Sequence, residues 1–129
     1  MPTFSENGKN SYTAAATVVK GNILKFSGST DAAGLPTVTP TTAATDQPVA
    51  IALTDANAGE KVAVKILGTG GTTLVKAGGG LVAGQLINSI GQQPDAGNFA
   101  IGRVLNASQT GELVEVATTV AIEVTSGSI

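Results

Sequence analysis

Glu60 and Glu112 are the residues whose setting is best suited to chemistry. Residues 51–64 read IALTDANAGEKVAV and residues 103–116 read RVLNASQTGELVEV. Aligned without a gap, the two segments share Leu53/Leu105, Gly59/Gly111, Glu60/Glu112, Val62/Val114 and Val64/Val116. Paired carboxylates do acid–base work when they lie about 5–10 Å apart with pKa values pushed apart. Here the repeat gives each glutamate an equivalent place in its own hairpin, which is a structural reason for both. The chain has no histidine and no cysteine, so it lacks the commonest general base and the thiolate nucleophile, and a Ser-His-Asp triad is impossible. The glycine runs at 68–72 (GTGGT) and 78–80 (GGG) have neither the following helix of a dinucleotide fingerprint nor the Lys-Ser/Thr of a phosphate loop. Asp46, Asp55 and Asp95 stand in separate loops without calcium-loop spacing. Asn106-Ala107-Ser108 fits a glycosylation acceptor, but the polar start MPTFSENGKNSY offers no secretory signal. No catalytic, cofactor-binding or metal residue is therefore expected. Gly59, Glu60, Gly111 and Glu112 are read as structural turns.

Those turns need strands on either side. A glycine just before a returning strand takes a left-handed conformation that a Cβ resists, and this closes a hairpin. Val49, Ile51 and Leu53 alternate with alanines, and Val62, Val64 and Ile66 alternate with Lys61, Ala63 and Lys65, the period of two of half-buried strands. VVKGNIL at 18–24 resembles LVAGQLI at 81–87, so the repeat extends upstream of each hairpin. Further strands are expected at 12–19, 23–26 and 73–77, and at 99–105 with a bulge at Gly102. Residues 113–125 hold two alternating sets, Val114/Val116 and Val120/Ile122/Val124, with a break or bend between them at Ala117-Thr118-Thr119. Residues 27–46, rich in Thr, Ala, Pro and Gly, read as loop with a short extended piece at 37–39.

The expectation is an all-β protein: a compact small β-barrel or sandwich with two related hairpin modules, long loops and at most one short helix. Residues 1–11 read as a flexible N-terminal arm, 12–125 as one β domain with related halves at about 18–66 and 81–116, and 126–129 as a tail. Phe4 and Tyr12, two of the four aromatics, are candidate partner contacts on and beside that arm.

Composition narrows the function classes. Of 129 residues, 42% are hydrophobic but only 3% aromatic, which makes a thin aliphatic core that gains from docking or oligomerisation. Charged residues make up 12% of the chain and the net charge is -2, against about 25% charged in a typical globular protein. Such a surface suits packing against neighbours in an assembly. The seven basic residues are scattered and do not alternate with aromatics, so no nucleic-acid partner is expected. No apolar run approaches the ~20 residues of a membrane span, and no membrane partner is expected.

Pro48–Val64, the LVAGQLI segment and Ala100–Val116 together resemble the small capsid decoration, or cement, proteins of tailed bacteriophages. Ala50 stands where that family commonly has glycine, and Arg103-Val104 occupies the centre of the second segment. The resemblance spans roughly residues 18–117 and leaves the N-terminal arm outside. It implies a β-rich protein, made in the host cytoplasm, that binds the outer surface of an icosahedral shell. It also implies a homotrimer, the major capsid protein as partner, no cofactor, and a role in clamping neighbouring capsid subunits. The competing readings are another virion surface module (a fibre, head spike or adhesin domain) and a small ligand-binding barrel or enzyme.

Overall fold

The computed structural model describes residues 9–125. Among them, nine strands and no helix follow in chain order: β1 (Lys9–Thr13), β2 (Ile23–Thr30), β3 (Pro36–Pro40), β4 (Ala50–Ala52), β5 (Lys61–Ile66), β6 (Thr72–Lys76), β7 (Leu86–Asn88), β8 (Phe99–Val104) and β9 (Leu113–Glu123). They form two antiparallel sheets, ordered β1-β5-β4-β2-β3 and β6-β9-β8-β7. The all-β class expected from the strand periodicity is the class observed.

Both sheets follow one plan. With β3 set aside, β1-β5-β4-β2 in the first corresponds to β6-β9-β8-β7 in the second. The registers correspond as well. Tyr12 faces Val62 as Val75 faces Val114, and Ile23 faces Ile51 as Leu86 faces Arg103. The duplication thus includes β1 and β6, further upstream than the sequence similarity reaches.

In each copy one face gathers the same positions. Val18, Leu24, Val62 and Val64 do so in the first, and Leu81, Ile87, Val114 and Val116 in the second. The copies cover this inner face differently. In the first, β3 crosses over it: the Val38 side chain is fully buried, Ala14 and Val38 form a parallel bridge, and the Ala15 N–H donates to the Val38 carbonyl at 2.7 Å. The two edges of that sheet thereby meet, giving a small, nearly closed barrel. In the second copy the inner face is covered by the outer side of the first, through Ile23, Ile51 and Leu67. β4 is consequently buried on both faces. Each of those three aliphatic side chains stabilises the junction by about 1.5–3 kcal/mol at most, so the first copy completes the second copy's core while keeping a separate barrel core of its own. Hydrogen bonds from Lys76 N–H to the Gly21 carbonyl (2.8 Å) and from Phe99 N–H to the Ala44 carbonyl (3.1 Å) tie the sheets together.

Several expectations are corrected. β1 begins at Lys9, so residues 9–11 are strand rather than arm, and it ends at Thr13 instead of running through the alanines. Phe4 and the 126–129 tail lie outside the described residues. The stretch read as loop from 27 onward is a hairpin: β2 runs to Thr30 and returns as β3. Asp31 makes that turn. Its Oδ1 accepts from the N–H groups of Ala33 and Leu35 at 2.9 and 3.0 Å. These bonds, the Leu35 one foremost and then the Thr13 hydroxyl, hold the Asp31 carboxyl below the usual carboxylate range. Pro36 and Pro40 sit at the ends of an edge strand, where a missing N–H costs least. β9 runs as one strand, and the interruption expected around 117–119 takes the form of extra residues between Thr118 and Ile122 in its pairing with β8. Its second alternating set does not join the core, since Val120 and Ile122 are 59% and 57% exposed. The bulge expected in β8 is present on its β7 side, where Ala100 and Gly102 face the adjacent residues Asn88 and Ile87; against β9 the extra residues belong to β9, whose Thr118 and Ile122 face Gly102 and Ala100. There a Cβ on Gly102 would meet the Ala117 carbonyl oxygen at 2.2 Å.

Candidate functional site

The Gly-Glu loops are closed by the same set of bonds. The Glu60 side chain accepts from the Asn57 N–H at 2.7 Å, and the Glu112 side chain accepts from the Gln109 N–H at 2.6 Å. The Gly59 N–H donates to the Ala14 carbonyl and the Gly111 N–H to the Ala77 carbonyl, both at 2.8 Å, and both glycines have φ of +89°. At the start of each loop, Ala63 N–H reaches the Thr54 hydroxyl and Glu115 N–H reaches the Asn106 side-chain oxygen, at 3.2 and 3.1 Å. Each carboxylate therefore closes its own loop, on its own sheet. Nothing in this geometry brings Glu60 and Glu112 onto a common reacting atom.

The upstream turns match too. The side chain of Asn22 accepts from the Val19 N–H at 2.8 Å, and that of Gln85 from the Val82 N–H at 2.9 Å. Asn and Gln thus fill the same role, a substitution that similarity of residue type had suggested.

The structure separates the aromatic candidates. Tyr12 is half-buried against the barrel core, its ring edge-on to Phe26 at a centroid distance of 5.9 Å. Among the described residues, Phe26, 44% exposed, is the aromatic that faces solvent. In the sequence Phe26 is an ordinary strand position beside Ile23 and Leu24.

Concave surfaces among the described residues include a shallow hollow of about 270 Å³ beside the first Gly-Glu loop, lined by Val18, Asp55 and Glu60 among others, and two larger ones. A cleft of about 490 Å³ runs along the junction between the sheets, lined by Asn22, Thr41, Lys76, Ser89 and Thr110 among others, with Lys76 its one charged side chain. Beside it the Thr41 hydroxyl donates to the Ser89 carbonyl, and Ser89 donates to the Ala43 carbonyl at 3.0 Å. Its polar groups are thus largely spent on holding the β3–β4 connection to the second sheet. A second hollow of about 530 Å³ opens on the outer face of the second sheet, among Leu86, Ala100, Arg103, Thr119 and Ile122. It is mainly apolar and carries one charge of each sign, Arg103 and Glu123. No group of three or more carboxylates that could hold a metal ion occurs among the described residues.

No protein-family model and no curated sequence matches the chain. Among solved structures, the chain is similar to the head fiber gp8.5 N base of bacteriophage phi29, with a TM-score of 0.63 and 20% identity over 88% of this chain and 94% of that one. The two share a fold: a duplicated, all-β arrangement in this chain corresponds to nearly the whole of that fibre base.

Proposed function

We propose that this chain is a structural protein of a tailed-phage virion, a β module seated on the outer surface of the icosahedral head. The observation that carries the reading is the fold shared, almost end to end, with a base domain of a head fibre. The low charge, the thin aliphatic core and the resemblance of the two Gly-Glu segments to decoration proteins support the same reading. The Gly-Glu loops act as hairpin closures, and function rests on surfaces, with the major capsid protein as partner. Docking many copies across capsid subunit boundaries adds binding free energy to the assembled shell, which linkage turns into resistance to bursting.

Two forms of this role differ in outcome. A cement protein clamps neighbouring subunits, whereas a fibre base uses the shell as a foothold. Heads lacking the protein should bind it saturably in co-sedimentation. If it is a cement, the temperature at which heads burst rises with occupancy; if it is a fibre base, it binds without changing that temperature. Failure to bind heads at any concentration overturns both forms.

A further inference from the structure

The outer face of the second sheet is the counterpart of a face that the molecule itself buries. In the first copy Ile23, Ile51 and Leu67 point outward and are covered by the second copy. By register Leu86 and Arg103 are the counterparts of Ile23 and Ile51, and Thr119 is that of Leu67 when the repeat alignment is continued; all three line the open hollow with Ile122. One packing step of the duplication is therefore taken inside the chain, and the next is left open.

Head-to-tail continuation would place this face on the inner face of a first copy in another molecule. β3 closes that acceptor, with Val38 fully buried across the barrel mouth and Ala15 bonded to its carbonyl. An open chain of molecules has no free acceptor of this kind. The same face on another copy, related by a rotation axis, needs no such acceptor. The charges suit that arrangement. Arg103 and Glu123 are the charged residues lining the hollow, and Glu123 pairs in register with Phe99. The two therefore stand apart by the length of β8 from Phe99 to Arg103, about 13 Å. A face with a cation at one end and an anion at the other is complementary to itself when turned over. Arg103 spends one N–H on the Gly84 carbonyl, at 2.9 Å, and has others to offer.

We propose that copies of this chain meet through the outer face of the second sheet, burying Ile122 and Leu86 and pairing Arg103 of one copy with Glu123 of another. β3 is the cap that keeps the assembly closed instead of filamentous. The proposal goes beyond the head-surface reading and does not depend on it.

Sedimentation velocity on the full chain across a hundredfold range of concentration tests the contact. The wild type should show a small whole-number multiple of the chain mass. Ile122→Lys should weaken association at least about tenfold, as expected for a central apolar anchor. Arg103→Glu and Glu123→Arg should each weaken it, and the double reversal should recover most of the loss. All these side chains are exposed, so circular dichroism and the melting of the dissociated variants should match a monomeric reference. A wild type that is monomeric throughout overturns the proposal. So does an oligomer whose mass and concentration dependence Ile122→Lys and the charge reversals leave unchanged. A monomer that still binds heads would remove this contact and leave the head-surface reading standing.

Discussion

Gly21 and Gly84 form an internal control for how the two copies pack. Both have left-handed backbone, with φ of +91° and +87°. Both donate to the equivalent strand, Gly21 to the Ala52 carbonyl at 2.9 Å and Gly84 to the Val104 carbonyl at 2.7 Å. Their surroundings differ. A Cβ on Gly84 would meet nothing within 4 Å. A Cβ on Gly21 would lie 2.5 Å from Leu113 Cδ2 and 3.0 Å from the Lys76 backbone nitrogen, because the second copy covers this turn. Gly84→Ala should therefore cost only the left-handed strain, about 1–2 kcal/mol. Gly21→Ala should cost that strain plus overpacking of about 1–3 kcal/mol. Leu113 can rotate aside, since it is 41% exposed, but the Lys76 nitrogen is held by its bond to the Gly21 carbonyl. Urea unfolding followed by circular dichroism should rank Gly21→Ala below Gly84→Ala by more than about 1 kcal/mol, or roughly 3–6 °C in melting temperature. Equal losses, or a larger loss for Gly84→Ala, would refute the burial of the first copy's turn by the second.

Further expectations follow from the same geometry. Glu60→Ala and Glu112→Ala should each cost about 0.5–2 kcal/mol, as for other loop and helix caps, with similar urea midpoints because the two loops are bonded alike. Ser108→Ala should be neutral or stabilising by up to about 1 kcal/mol in thermal melts, since the Ser108 hydroxyl is buried without a hydrogen-bond partner where the first copy has Ala56. Asp46 is held below the usual carboxylate range by the Thr42 N–H first and by Lys25 as well, against an opposing effect of burial. A depressed carboxylate stabilises the fold above its unfolded pKa of about 3.9, and that contribution is lost as pH falls through its folded value. The stability gap between wild type and Asp46→Asn should thus be full at pH 6 and shrink on acidification below about pH 4. A gap that stays constant into acid would mean that the charge of Asp46 contributes nothing.

The elements legible in the sequence were those whose cause is local. Glycine before glutamate, a polar loop and Val-x-Val describe a hairpin closure without reference to the rest of the chain, and both closures form as that pattern requires. The loops around Gly21 and Gly84 were legible for the same reason. The start of β2 and the middle of β3 were legible too, but the hairpin that joins them was not, because β2 beyond Phe26 is Ser, Gly and Thr and the turn depends on one aspartate, Asp31, capping its own loop. β9 misled because alternation reports which side a residue faces and not whether anything covers it. The strand runs beyond β6, whose pairing with it ends at Ala117, and a register shift against β8 then breaks the pattern. The packing of one copy on the other left a readable trace in the difference between equivalent residues. Ile51 corresponds to Arg103 and Leu67 to Thr119, apolar where the face is covered and polar where it is open. Phe26 went unnoticed because exposure is a tertiary property.

A cryo-EM map of phage heads saturated with the purified protein decides whether it is a head-surface module. The account predicts density for a two-sheet β module at regularly repeated positions on the outer surface of the shell, contacting the major capsid protein. A bare shell under saturating protein, or density confined to the tail, would contradict it.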